Sequence, residues 1–266
     1  MKIGVVGCAG RMGRMLVATV LETEGAELAG GTEAPGSPFA GADVAQLAGA
    51  EPAGIAVGDD AAALFEAADA VIDFTIPAAT VAHAALAKAS GTALVVGTTG
   101  LGEAEMAELA AAAEGAAIVH AGNMSLGINL LVGLTEQVAG ALGPDYDIEV
   151  VEMHHRHKID APSGTALMLG RAAAAGRGID HGDNAVMSRE GETGARPRGA
   201  IGYAALRGGD VIGDHSVIFA GPGERIEIVH KAGDRSLFAR GALTATLWTE
   251  GRAPGLYTMR DVLGMS

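Results

Sequence analysis

The chain has 266 residues, 49% hydrophobic and 19% charged, with a formal net charge of −14. That apolar content can bury a core, which excludes a disordered tail, and the acidic balance argues against nucleic acid, which requires a basic face. A run of about eighteen apolar residues is not found, which speaks against a membrane span. The opening MKIGVVGCAG reaches glycine too soon for a signal peptide, and the single cysteine, Cys8, fits a packing residue in a reducing cytoplasm.

In chain order, Lys2–Val6 reads as a buried strand and Arg11–Glu22 as a helix, with apolar residues at Met12, Met15, Leu16 and Val20. Ala26–Gly30 and Ala70–Phe74 read as strands. Pro77 opens a helix through about Ala89, a favoured place for proline. Thr92–Val96, Gly102–Ala113 and Ala117–His120 continue the alternation as strand, helix and strand. Such alternation predicts crossover connections and a doubly wound, mainly parallel sheet of the nucleotide-binding type.

The pattern changes after Asn123. A helix over Ile128–Leu142, a strand over Asp147–Met153 and a helix over Thr165–Ala175 are followed by three strand-like runs. These are Ala200–Leu206, Asp210–Ala220 and Glu224–Lys231, separated by Gly-Asp or Pro-Gly turns that suggest hairpins. The expectation is α/β: a Rossmann-type domain over 1–124 and 236–266, and an α+β domain with a mixed or antiparallel sheet over 125–235. Charge is distributed unevenly along the chain. Residues 1–150 hold 4 basic and 19 acidic side chains, residues 151–266 hold 14 and 13, so the second part repels an anionic substrate less.

Gly7-Cys8-Ala9-Gly10-Arg11-Met12-Gly13 sits between the first strand and first helix, where backbone N–H groups and the positive helix end can take a pyrophosphate. Glu33, twenty positions beyond Gly13, is placed to accept from the adenosine ribose hydroxyls. No cation follows it until Lys88, so NADH is favoured over NADPH, with Arg11 and Arg14 as partial rescue for a 2′-phosphate. Gly97-Thr98-Thr99-Gly100 and Ala121-Gly122-Asn123-Met124 also fall at strand ends, where ligands sit in open parallel sheets; ordinary turn chemistry is the alternative.

The densest polar cluster is Glu152–Thr165, with His154, His155, His157, Arg156 and Lys158 in five residues. A solvated basic loop is the bland reading. A metal is not expected: no thiolate lies near, and on a strand His155 and His157 would face away from His154. Pro162 favours an extended Ala161, Ser163 is a good helix cap, and the N–H groups of Gly164 and Thr165 then form a carboxylate site at a positive helix end.

From here the chain resembles the 4-hydroxy-tetrahydrodipicolinate reductase (dihydrodipicolinate reductase) family along essentially its whole length. The resemblance is carried by the G-x-x-G-x-M-G start, Val71–Thr75, Val95–Gly100, the HHRHK-x-D-A-P-S-G-T-A run at His154–Ala166, Arg207–His215, Phe219–Ala232 and Gly255–Gly264. It implies His154 as acid/base catalyst, Lys158 as second proton donor, and His155 with Gly164 and Thr165 as binders of a small dicarboxylate. It implies a cofactor lined by Gly7, Cys8, Ala9, Gly10, Arg11, Met12, Glu33, Gly97, Thr98, Thr99, Ala121, Gly122, Asn123 and Met124. It further implies a cytoplasmic homotetramer assembled through the second sheet, acting in lysine and diaminopimelate biosynthesis. Ala34 stands where family members that use NADPH well often carry arginine. The alternatives are another dehydrogenase of similar domain order, or a non-catalytic dinucleotide sensor.

Overall fold

A computed structural model describes residues 1–265. The elements in chain order are β1 (Lys2–Val6), α1 (Arg11–Glu22), β2 (Glu27–Thr32), α2 (Val44–Leu47), α3 (Ala61–Ala67), β3 (Ala70–Asp73), α4 (Pro77–Ser90), β4 (Ala93–Val96), α5 (Glu103–Ala112) and β5 (Ala117–His120). They continue with α6 (Leu126–Leu142), β6 (Asp147–His154), α7 (Gly164–Arg177), α8 (His181–Asn184), β7 (Ala185–Val186), β8 (Ile201–Arg207), β9 (Asp214–Gly221), β10 (Glu224–Lys231), α9 (Ser236–Trp248), β11 (Gly255–Tyr257) and α10 (Met259–Val262). The chain divides into two compact units, one of Met1–Leu126 with the segment from Ser236 onward, the other of Gly127–Arg235.

The first unit is a six-stranded parallel sheet in the order β11-β5-β4-β3-β1-β2. Its central strands are short apolar runs because both faces are covered: every residue of β3 and β4 is buried. Alternate side chains feed opposite layers. Ile3, Val5, Ile72, Val95 and Val119 pack with Leu16, Val17 and Val20 of α1 and with Ala239, Ala242 and Leu243 of α9. Val6, Val71, Leu94, Val96 and Ile118 pack with Leu64 and Phe65 of α3, Ala84 and Ala87 of α4 and Leu109 of α5. Burying each of the larger of these side chains stabilises by about 1.5–3 kcal/mol. The last segment gives α9 and also a sixth strand, β11, which adds to the sheet edge beside β5. β2 lies on one side of β1 and β3 on the other, so the order reverses at β1, where open α/β sheets bind ligands.

The second unit is a mixed sheet in the order β10-β9-β6-β8-β7. β6 alternates strictly between buried and half-buried residues, and its buried row packs with α6 and α7 through Ile148, Val150, Leu131, Ala139, Ala166 and Leu169. α6 belongs to a stretch, Leu126–Asp145, long and apolar enough by composition to cross a membrane, yet its Leu131 and Ala139 belong to this packed core. Of the expected hairpins, β9–β10 forms, with Gly223 at φ +81° in its turn. β8 and β9 do not pair. β6 lies between them, parallel to β8 and antiparallel to β9. The Gly208–Gly213 segment therefore arches over the end of β6, where Gly208 N–H donates to His154 O at 2.9 Å and His155 N–H to Val211 O at 2.7 Å.

Candidate active site

In the first unit, Gly7 leaves β1 at φ +66° and Gly10 caps α1 with no side-chain bond to the helix end. The first turn of α1 contains no acidic residue, so no side chain of the helix itself offsets its positive end. A Cβ at Gly13 would stand 2.0 Å from Gly7 O, so this glycine is what lets α1 approach the loop. Glu33 follows β2 and accepts from Ala9 N–H at 2.7 Å, which places the carboxylate at the glycine loop. Arg14 donates from Nε to Ala9 O at 2.8 Å, and its guanidinium lies over the Phe39 ring.

The other two loops adjoin this edge. A Cβ at Gly97 would meet the Phe74 ring at 2.2 Å, and Ala121 N–H donates to Val96 O at 3.2 Å. Thr98 is buried and Thr99 exposed. The Thr98 hydroxyl is turned inward, bonded to Asp73 at 3.2 Å and to Thr80 at 2.9 Å, which leaves Thr99 as the outward hydroxyl of the pair. Asp73, wholly buried, also accepts from Thr75 N–H and Oγ1 and meets His83 Nδ1 at 2.9 Å. Burial pushes its carboxyl up, but the bonds from His83 and Thr75 outweigh this and hold it below the ordinary carboxylate range. Cys8 and Met124 turn into the core. Burial, with Glu33 nearby, pushes the Cys8 thiol up to about 11, so it is no nucleophile at neutral pH. The loop, the positive helix end and the glycine approach fit a dinucleotide pyrophosphate.

In the second unit, His154 is the last residue of β6 and is buried. Glu152, two residues earlier on the same strand face, is 1% exposed and meets His154 Nδ1 at 2.6 Å. Arg207, opposite His154 in the β6–β8 register, donates to both Glu152 oxygens at 2.7 and 2.8 Å. His215, opposite Glu152 in the β6–β9 register, stands edge-on to His154 with ring centroids 5.1 Å apart. Its Nε2 is 3.0 Å from Ser163 Oγ. Burial brings His215 down to about 4, so it is neutral at neutral pH. Burial also lowers His154, which Glu152 opposes and Lys158 and Arg207 reinforce.

Beyond His154 the chain leaves the strand, so His155 and His157 do not lie on it. His155 Nδ1 is buried with no hydrogen-bond partner among the described residues, and Lys158 pairs with Asp160 at 2.9 Å. Lys158 N–H donates to His155 O at 3.1 Å, closing the turn. The Ala161–Pro162 peptide is cis. Ser163 caps α7 through Ala166 N–H, and Gly164 beside it is exposed, with no heavy atom within 4 Å of where a Cβ would stand. His154, Lys158, Gly164 and Thr165 thus belong to one end of the unit. Sequence reasoning did not single out Glu152, Arg207 or His215. The i, i+2 spacing of Glu152 and His154 on a strand was the available signal. Among the described residues no group of three His, Cys, Asp or Glu side chains is placed to hold a metal ion.

Two family models match the chain, dihydrodipicolinate reductase N-terminus over residues 1–124 and C-terminus over residues 127–263. A 4-hydroxy-tetrahydrodipicolinate reductase of Dinoroseobacter shibae is 58% identical over 263 residues, covering 99% of this chain and 98% of that one. One of Rhizobium rhizogenes is 58% identical over 267 residues, covering 100% and 97%. A dipicolinate-bound dihydrodipicolinate reductase structure from Paenisporosarcina sp. aligns at TM-score 0.77 and 25% identity, covering 98% of each chain. An amine dehydrogenase from Mycobacterium smegmatis, 14% identical over 97% of this chain and 95% of that one, shares the fold at TM-score 0.60.

Proposed function

The chain belongs to the dihydrodipicolinate reductase family, and on that premise we propose how its residues carry out the reduction of 4-hydroxy-tetrahydrodipicolinate to tetrahydrodipicolinate. The observation that carries the assignment of roles is the end of β6, where a buried, carboxylate-backed His154 stands beside the capped turn that opens α7. Gly7–Met12 receive the pyrophosphate of a nicotinamide dinucleotide, Glu33 its ribose, and Gly97–Thr99 with Ala121–Met124 its nicotinamide end. Cys8 and Met124 contribute backbone only, since their side chains are buried. Bound there, the reduced nicotinamide supplies a hydride. NADH is favoured over NADPH because Glu33 opposes a 2′-phosphate and the exposed Ala34 offers nothing to offset it.

The substrate's carboxylates are taken by Gly164 and Thr165 at the N-terminus of α7, and by His155, whose Nδ1 lacks a partner among the described residues. The 4-hydroxyl leaves with a proton from the adjacent carbon as water, which gives the conjugated imine. Hydride addition to it leaves an electron-rich enamine, and its neighbouring carbon takes a proton. His154 delivers that proton. Burial holds its proton affinity down in the free protein, and the arriving carboxylates raise it, so the proton is taken up when it is needed. Lys158 assists as second donor and offsets carboxylate charge.

The test is oxidation of NADH with freshly generated substrate. His154→Gln should lower kcat by about 10²–10⁴-fold while leaving NADH binding intact. An unchanged kcat removes His154 from the mechanism.

The outer face of the second sheet supports assembly as a homotetramer of this cytoplasmic enzyme. There Val151, Ala204, Ser216 and Val229 form one row across four strands, with Val229 45% exposed, and Met153 pairs with Leu206, 51% exposed. Sedimentation should give four times the mass of the chain.

A further inference from the structure

Glu152 takes part in more contacts than an ion pair needs. Its Oε2 meets His154 Nδ1 and Arg207, and its Oε1 accepts from Arg207 and from Ser163 N–H at 3.1 Å. We propose that Glu152 is a positioning residue for the reduction, holding His154 with its hydrogen on Nδ1 and Nε2 as the working nitrogen, and fixing the same imidazole to the turn that opens α7. The proposal rests on the assignment of His154 as proton donor.

The chemistry follows from the partners. Burial pushes the Glu152 carboxyl up, yet the bonds from Arg207 and His154 hold it below the ordinary range, so it is ionised at working pH. An ionised carboxylate only accepts, so the His154 nitrogen facing it must carry hydrogen. That leaves Nε2 to gain and lose the proton. Nε2 faces Gly213, where a Cβ would stand 3.0 Å away. Glycine at 213 therefore keeps the working nitrogen uncovered.

The titratable and charged groups around the imidazole come from every neighbouring strand and loop: Glu152 on β6, Arg207 on β8, the neutral His215 on β9, and Lys158 with Asp160 in the loop beyond β6. Glu152 is the one carboxylate among them bonded to the ring. Arg207 compensates it, so His154 can lose its proton without stranding a bare buried charge. Arg207 also donates to Asp160 O at 2.7 Å, tying the loop that carries Lys158 to the same node. The bond to Ser163 N–H sets the distance between donor nitrogen and carboxylate site. A displacement of about 1 Å there can cost about 10²-fold in rate.

The experiment compares Glu152→Gln, His154→Gln and the double variant in the intact enzyme, with NADH binding by fluorescence as a check of the first unit. Glu152→Gln should lower kcat by about 10²-fold with NADH affinity unchanged. It should also move the alkaline limb of the kcat profile, where the donor loses its proton, to lower pH, because the carboxylate raises the proton affinity of His154. Added to His154→Gln, it should cost less than about threefold further. A positioning residue acts only through the side chain it positions, whereas a merely structural one costs the same in both backgrounds. An equal loss in both, or an unmoved pH profile, overturns the proposal. Should Glu152→Gln fail to fold, Gly213→Ala, whose Cβ would press on His154 Nε2 from 3.0 Å, should lower kcat at least tenfold; a wild-type kcat there removes Nε2 as the working nitrogen and overturns the proposal as well. Full activity of His154→Gln alone would instead bring down the catalytic assignment beneath it.

Discussion

Each unit buries one carboxylate in the last residues of a strand and bonds it to a histidine Nδ1, and the two are compensated differently. Asp73 in the first unit meets His83 at 2.9 Å and is otherwise held by hydroxyls and a backbone N–H, from Thr75 and Thr98. Glu152 in the second meets His154 at 2.6 Å and is gripped by both arms of Arg207. The first arrangement ties loops together. The second holds a full opposing charge beside the ring proposed as proton donor. Buried carboxylates can thus serve as anchors or as partners in proton transfer, and the neighbouring donors decide which.

The largest expected effect breaks the charge pair. Arg207→Ala leaves Glu152 buried and uncompensated and should cost about 3–5 kcal/mol in a urea titration. Asp73→Asn removes a charge but keeps an acceptor for the threonine hydroxyl, and should cost about 1–3 kcal/mol. Equal losses would mean that the guanidinium matters no more than a hydroxyl, and the distinction between the two nodes would fail.

Acid should separate the units next. His215 has a folded value of about 4 against an ordinary 6.5. Between those values the unfolded chain binds the extra proton, so stability rises with pH across that window. About 3 kcal/mol present above pH 6.5 is lost as pH falls through about 4. Asp73 is lowered, so its contribution persists until pH falls through a value beneath the ordinary carboxylate range. The second unit should therefore weaken first. The single tryptophan, Trp248, lies in α9 of the first unit, so its fluorescence reports that unit while circular dichroism reports the whole. The two urea transitions should coincide at neutral pH and separate near pH 4.5, with the fluorescence midpoint the higher; coincidence at both would refute the ordering.

Much of this was legible in the residues. Strand–helix alternation and the glycine loop gave the parallel sheet of the first unit because apolar period and turn chemistry are local properties. α2 and α3 have no long periodic face, and only their aspartate caps, Asp43 and Asp60, announce them. β11 is three residues long and exists through pairing with β5, which no local pattern encodes. The order of the second sheet escaped for the same reason. Gly-Asp after β8 reads as a hairpin turn, yet β6 takes the place between β8 and β9. At the site, the cluster after His154 was visible as a dense polar run. Its support was not, because Arg207 and His215 are more than fifty residues away in sequence and reach Glu152 only through sheet register.

The smallest expected effect concerns which nucleotide the first unit accepts, and it shows what a site without a compensating arginine does. Glu33 accepts from Ala9 N–H, so its charge sits at the glycine loop, where a 2′-phosphate would meet it. Arg14 does not cancel that charge directly: its Nε is spent on Ala9 O, and its guanidinium lies over Phe39 at 5.3 Å from the ring centre. Ala34 is exposed and carries no polar group. Ala34→Arg adds a guanidinium beside Glu33, giving the first unit a version of what Arg207 gives Glu152. The kcat/KM ratio of NADPH to NADH should rise about tenfold, worth about 1.4 kcal/mol. Because the added charge is solvated, the gain should shrink as salt shortens the screening length from about 10 Å toward 3 Å. A ratio that does not move, or moves without salt dependence, would mean that nucleotide choice is set by loop shape and not by the uncompensated charge of Glu33.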